Sequence, residues 1–123
     1  MNCLAIDFGI KRIGLAISIQ GIISPLSVVP NDKKFIDILN KEIKDHNIGK
    51  IYVGVSEGEV ADLTKKFVEE LITMVQLPIE TVEEAVSTIE AEEIYIRNKR
   101  KKKDYKKQID SVAAAVILRR ALG

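Results

Sequence analysis

Short apolar runs separated by tight turns dominate the first thirty residues. The runs at 2–7, 12–19 and 22–29 predict three β-strands, joined by a turn around Gly9 and by Gln20-Gly21. Strands joined by such short turns form an antiparallel meander. Pro25 has no amide hydrogen to donate, so the third strand should lie at an edge of the sheet or carry a bulge.

The hydrophobic period changes to that of a helix after residue 30. Asn31 or Asp32 can cap this helix, which should end near His46-Asn47 and whose apolar positions are Phe35, Ile38, Leu39 and Ile43. A second amphipathic pattern runs from Val60 to Val75. The remaining elements predicted are strands over 50–55 and 78–82 and helices over 88–98 and 109–122.

This order of elements predicts an α/β fold in one domain, residues 1–123. Strands four and five each follow a helix, so we expect both to add parallel to the first strand through right-handed crossovers that flank it. The result is a mixed five-stranded sheet, with three antiparallel strands and then two parallel ones, and helices on both faces.

The charge is unevenly distributed along the chain. The net charge is +1, yet the segment 97–107 carries eight basic residues and one acid, or +7, which leaves −6 for the rest. Such a segment is typical either of a polyanionic partner bound at one place or of a solvated linker. No apolar run is long enough to span a bilayer, and no basic leader precedes one, so we expect a cytoplasmic protein. The single cysteine, Cys3, should be a buried thiol.

Three acidic sites fall at the ends of predicted strands or at the start of a predicted helix. Asp7 ends the first strand, Glu83 and Glu84 follow the fifth, and Asp110 lies in the first turn of the predicted last helix. Each is ordinary by itself: a turn residue, two surface acids and a helix-start acid. Together they can converge at one edge of the sheet, where ligands of open α/β folds gather. Clustered carboxylates favour Mg²⁺ or Mn²⁺, and two such ions can promote attack of water on a phosphodiester.

Other chemistries are poorly supported. The only histidine, His46, is best interpreted as a helix-end residue, so neither a Ser/His/Asp arrangement nor a zinc cluster is predicted. The loop after Asp7 lacks the glycine spacing and the terminal Lys-Ser/Thr pair of a Walker loop. Lys11 and Arg12 place two cations beside Asp7, which suits a phosphate or forms the basic tip of a hairpin.

Several motifs resemble the YqgF/RuvX family, whose members are RuvC-like proteins of the RNase H superfamily. The first is Asp7-x-Gly9-x-Lys11-Arg12-x-Gly14, and the others are Ile23-Ser24-Pro25-Leu26, Val53-Gly54-Val55, the run from Val82 to Ala91 and the run from Asp110 to Leu118. They occur in the order and spacing of the family over nearly the whole chain.

The resemblance implies an RNase H-like fold and a nuclease of structured nucleic acid. It implies that Asp7, Glu84 and Asp110 are catalytic carboxylates that bind Mg²⁺ or Mn²⁺. Its nucleic-acid-binding residues would be Lys11, Arg12, Lys99, Arg100, Lys101, Lys102 and Lys103. Processing of pre-16S rRNA is the activity it favours, and resolution of Holliday junctions in DNA is the alternative.

The chain departs from the family pattern at three positions. Ala85 stands where the family has arginine, Ser56 where it usually has proline, and Glu83 where it has aspartate. The loss of arginine supports a second class of function, a non-catalytic nucleic-acid-binding factor in ribosome assembly. A third class, an ATP-binding domain like those of actin and sugar kinases, needs two such domains around the nucleotide. The sequence leaves open whether the protein is a monomer or a homodimer.

Overall fold

A computed structural model describes residues 1–55, 59–83 and 105–123, with the backbone alone at 59–60 and 105–111. In these ranges the strands are β1 (Asn2–Asp7), β2 (Arg12–Ile19), β3 (Ile22–Pro30), β4 (Ile48–Val55) and β5 (Ile79–Glu83). The helices are α1 (Phe35–Asp45), α2 (Glu59–Met74) and α3 (Tyr105–Leu122). The helix predicted over 88–98 lies outside the described residues. None of the described helices is long and apolar enough to span a membrane.

The five strands form one mixed sheet in the order β3-β2-β1-β4-β5. β2 pairs antiparallel with both β1 and β3, whereas β4 pairs parallel with β1 and β5 pairs parallel with β4. The predicted mixed sheet is therefore confirmed. The expectation that both crossovers flank β1 is wrong, because β2 already occupies the other side of β1 and β5 adds outside β4.

Helices cover both faces of the sheet, as predicted, and the alternation along β1 shows why. Leu4 and Ile6 are fully buried in a core that includes residues of α1 and α2. Cys3 and Ala5 point to the opposite face, where they pack with Ala114 and other residues of α3. Both sides of β1 are apolar because both sides are covered.

Pro25 has both of the predicted effects on β3. The strand lies at the edge of the sheet. Its register with β2 shifts beside Pro25, because Leu15 pairs with Ser27 while the next residue, Ala16, pairs with Pro25. The missing amide is therefore accommodated by a bulge on an edge strand.

Helix α1 begins later than its predicted caps. Its N-terminal flanking residue is Lys34, which makes no side-chain cap. The carboxylate of Asp32 instead accepts a hydrogen bond from the Lys34 amide over 2.9 Å, and so stabilises the turn before the helix. Asn31 uses its side chain in a tertiary contact. The predicted C-terminus is confirmed, since α1 ends at Asp45 and is followed by His46.

Helix α3 begins earlier than predicted. It starts at Tyr105, so Lys106 and Lys107 belong to the helix and not to a basic linker. Lysine has a good helix propensity, and a run of lysines therefore marks no boundary. Asp110 is consequently the sixth residue of α3. Its predicted place in the first turn is wrong.

Candidate active site at the carboxyl edge of the sheet

The carboxyl ends of four strands lie along the same side of the sheet, which we call its carboxyl edge. β1, β3, β4 and β5 all run in the same direction, because β2 is antiparallel to both of its neighbours. Their last residues are Asp7, Pro30, Val55 and Glu83. Such an edge is the usual place for ligands in open α/β sheets.

Asp7 ends β1, the central strand of the sheet, and is half-buried. Its partners in the two neighbouring strands are both glycines, Gly14 in β2 and Gly54 in β4. Directly paired residues project side chains on the same face, about 4.5–5.5 Å apart between Cβ atoms. Neither paired residue contributes a side chain beside Asp7, and both glycines are buried.

The face on which Asp7 lies follows from the alternation of β1. Cys3 and Ala5 pack on the side of α3, and Asp7 is the next residue in that series. Asp7 therefore belongs to the face that α3 covers, the helix whose sequence contains Asp110.

The loop between Asp7 and Arg12 is held in one conformation by two features. A Cβ atom on Gly9 would clash with the carbonyl oxygen of Arg12, so no other residue fits without a backbone shift. The side-chain amide of Asn31 donates hydrogen bonds to the carbonyls of Gly9 over 2.8 Å and Ile10 over 3.2 Å. Lys11 and Arg12 follow directly, and both are exposed. The structure therefore places these two cations beside the end of β1, as predicted.

The end of β5 is tied to α3. Arg120, in the last turn of α3, donates a hydrogen bond from Nη1 to the carbonyl oxygen of Glu83 over 3.0 Å. The contact joins residues that are 37 positions apart. Glu83 itself is exposed at the edge. Its backbone is thereby fixed next to the position from which residue 84 continues.

The remaining predicted site residues are described in part or not at all. Glu84, Ala85, Ser56 and the basic residues Lys99, Arg100, Lys101, Lys102 and Lys103 lie outside the described residues. Asp110 is described by its backbone alone. Within the described residues, no group of three or more His, Cys, Asp or Glu side chains could hold a metal ion. The proposed set of three carboxylates includes the side chains of Glu84 and Asp110, which are outside the described ones, so it stays a prediction.

Two pairs of polar residues lie at the opposite end of the strands. Asn2, at the start of β1, donates a hydrogen bond to the carbonyl of His46, about 17 Å along the strand from Asp7. His46 is thus a helix-end residue, as predicted, and its ring contacts Glu42. Lys50, whose partner in β1 is Cys3, pairs with Glu80 over 2.9 Å, and this hydrogen bond raises the pKa of Lys50.

Comparison with known proteins identifies the family. The model of the RuvX family, described as a Holliday junction resolvase, matches residues 1–123. The chain belongs to the RuvX family. The resemblance found in the sequence is therefore confirmed.

Two relatives match this chain over most of their own length. A protein of Sulfurihydrogenibium sp. is 38% identical over 125 residues, covering 94% of this chain and 85% of the relative. One of Dictyoglomus turgidum is 36% identical over 132 residues, covering 99% and 94%. Both carry the name "Putative pre-16S rRNA nuclease".

Solved structures with much lower identity share the fold. Thermus thermophilus RuvC, determined in complex with a Holliday junction substrate, aligns with a TM-score of 0.62 at 14% identity, covering 98% of this chain and 93% of RuvC. The fowlpox virus Holliday junction resolvase aligns with a TM-score of 0.58 at 12% identity, covering 99% and 96%. The RNase H-like fold implied by the RuvX motifs is therefore confirmed.

Sequence reasoning missed several residues that shape this edge. Gly14 and Gly54 belong to the family motifs, but their role beside Asp7 depends on strand register. The hydrogen bonds of Asn31 to Gly9 and of Arg120 to Glu83 join residues that are 22 and 37 positions apart. No local pattern signals such contacts.

Proposed function

We propose that this protein is a metal-dependent endonuclease that hydrolyses phosphodiester bonds in structured nucleic acid, with the precursor of 16S rRNA as its substrate. The observation that carries the proposal is Asp7 at the carboxyl end of β1, between Gly14 and Gly54. Neither paired residue has a side chain that would compete with a cation for the Asp7 carboxylate.

The donor atoms suit Mg²⁺ or Mn²⁺. Both ions prefer carboxylate oxygens, and Asp7 supplies them from a rigid strand end. Glu84 would add a second carboxylate, because it follows Glu83 directly, and Arg120 fixes the Glu83 carbonyl. Asp110 would add a third from α3. It lies three, four and seven residues before Ala113, Ala114 and Ile117, which are buried in α3.

The bound ions would lower the pKa of a water molecule and neutralise the charge that develops on the phosphate. The protein's own contribution is positional. Gly9 and Asn31 fix the loop that follows Asp7, and Lys11 and Arg12 supply positive charge for substrate phosphates. The family's relatives at 36–38% identity carry the name of an rRNA nuclease, which favours RNA over a DNA junction as the substrate.

A cleavage assay tests the proposal. Wild-type protein is incubated with a labelled pre-16S rRNA fragment and, in parallel, with a four-way DNA junction, in Mg²⁺, in Mn²⁺ and in chelator. We expect metal-dependent cleavage of the RNA. Asp7→Asn should lose it by several orders of magnitude, whereas Asp45→Asn, an exposed acid at the far end of α1, should retain it.

Three results would contradict the proposal in different ways. Cleavage of the junction alone would identify a resolvase. Tight binding without cleavage of either substrate would identify a non-catalytic factor. Full activity of Asp7→Asn would overturn the site.

A further inference from the structure

Asn31 connects the loop after Asp7 with the segment that leads from β3 into α1. Beside its two side-chain hydrogen bonds to Gly9 and Ile10, its backbone amide donates to the Lys11 carbonyl over 3.0 Å. One residue thus binds three consecutive carbonyls of the loop after Asp7. The segment that leads into α1 is therefore held against that loop, at the same edge of the sheet.

The surface formed in this way carries four exposed cations. Lys11 and Arg12 come from the β1–β2 loop and the start of β2, and Lys33 and Lys34 come from the turn before α1. In the part of the chain that the structure describes, the ammonium groups of Lys11, Lys33 and Lys34 form no ion pair. Lys50, at the opposite edge, is by contrast paired with Glu80.

Two acids lie close to these cations in the chain. The carboxylate of Asp32 accepts the hydrogen bond from the Lys34 amide. Asp37 is exposed in the first turn of α1, where the helix dipole favours a negative charge. Glu70 is a third acid, because it lines the same pocket as Asp32 and Lys33. Four cations and three acids leave this surface with an excess of one positive charge.

We infer that Lys33 and Lys34 bind the phosphate backbone of the nucleic-acid substrate on the β3 side of Asp7. The inference rests on the proposed function, because it needs a substrate strand that passes Asp7. β3 lies two strand spacings from β1, or about 10 Å. A strand that rises about 3.4 Å per nucleotide covers that distance in about three nucleotides. The contact is to phosphates, so it holds the strand without reading its sequence.

The test compares two double variants with the same change of charge. Lys33→Ala/Lys34→Ala removes the proposed contacts, and Lys41→Ala/Lys44→Ala removes two exposed lysines farther along α1. Binding of a labelled pre-16S rRNA fragment and of a four-way DNA junction is measured over a series of salt concentrations. The log–log slope should fall by about 0.7–0.9 per lost contact in the first variant and stay unchanged in the control. Thermal melts should show that all three proteins are folded.

The outcomes separate this inference from the proposed function. Equal slopes for the two double variants, with normal binding by wild type, would overturn the role of Lys33 and Lys34 and leave the nuclease proposal intact. No binding of either nucleic acid by wild type would overturn both. A lower slope in the Lys33/Lys34 variant alone supports the inference.

Discussion

Arg120 in α3 donates a hydrogen bond to the carbonyl oxygen of Glu83, the last described residue of β5. The bond connects the final turn of a helix with the end of an edge strand. Arg120 therefore ties α3, which contains Asp110, to the end of β5, after which Glu84 follows. Arg120 is not itself one of the proposed carboxylate ligands. Its removal should affect catalysis more than stability.

Arg120→Ala should reduce the cleavage rate with little effect on substrate binding. The lost hydrogen bond is exposed, so its contribution to the free energy of unfolding should be about 0.5–1.5 kcal/mol. A small displacement of the β5 end would nevertheless misplace Glu84, and catalysis depends steeply on such positions. Steady-state kinetics should show a lower kcat at an unchanged KM.

Arg119 provides the matched control, because it is also exposed and adjacent in the same helical turn. Arg119→Ala removes the same charge and should leave kcat unchanged. Arg120→Lys, which keeps one donor, should restore part of the rate. Equal effects of the two alanine variants would show that only charge is involved.

Gly54→Ala should impair metal binding by adding a methyl group beside Asp7. The new methyl group would project on the same face as the Asp7 side chain. Isothermal titration with Mn²⁺ should show weaker binding than wild type. Gly49→Ala, at the other end of β4, is the control, because its Cβ would meet only the exposed side chain of Met1. Unchanged Mn²⁺ affinity in Gly54→Ala would show that a side chain at position 54 does not hinder metal binding.

Asn31→Ala should loosen the loop between Asp7 and Arg12. It removes the hydrogen bonds to the Gly9 and Ile10 carbonyls and retains the backbone bond to Lys11. Water can replace the lost donor at this partly exposed site, so we expect about 1 kcal/mol of destabilisation. Hydrogen exchange at the loop amides should accelerate. Asn40→Ala, an exposed asparagine in α1, should show neither effect.

The sequence predicts the framework of this fold better than its boundaries and tertiary contacts. Alternation and short turns predict the meander, and Pro25 marks both the edge and the bulge. Asn31 has the chemistry of a helix cap, yet it serves the loop after Asp7. A local propensity cannot show which of two partners a side chain selects. The start of α3 could not be predicted for a related reason, because lysines suit a helix and a solvated linker equally.

The same limits apply to the site. Asp7 can be found from its position at the end of an apolar strand. Its pairing with two residues that lack side chains depends on register with Gly14 and Gly54, which a single sequence does not define. The four-cation surface requires the Asn31 contacts, so Lys33 and Lys34 look like ordinary solvated residues in the sequence.

The basic segment should contribute to binding independently of Lys33 and Lys34. Lys101→Ala/Lys102→Ala/Lys103→Ala should weaken binding of all sequences alike and lower the salt slope by about 0.7–0.9 per contact. Filter binding with unrelated RNA hairpins measures both effects. A wild-type slope in this variant would show that the segment is a solvated linker. Loss of cleavage with intact binding would show that it positions the substrate.

Asp110→Asn should leave the metal-free protein at least as stable as wild type. Asp7, Glu84 and Asp110 are distant in sequence, so in the proposed site only folding would bring their negative charges together, and their repulsion would oppose the folded state. A favourable charge at a helix start, worth about 0.3–1 kcal/mol, would act in the opposite direction. That term does not apply here. α3 begins at Tyr105, which places Asp110 beyond the first turn, where the dipole effect has fallen off.

The gain in stability from metal separates the two roles of Asp110. A divalent ion that binds the native protein stabilises it by about 2.7 kcal/mol at a hundredfold excess over Kd. Thermal melts in chelator and in excess Mn²⁺ should therefore show a large upward shift for wild type and for the control Asp45→Asn. Asp110→Asn should lose most of that shift. If Asp110→Asn is destabilised in chelator and still gains as much from Mn²⁺ as wild type, Asp110 supports the helix alone. The three-carboxylate site would then be wrong, because no charge repulsion would have been relieved and no ligand lost.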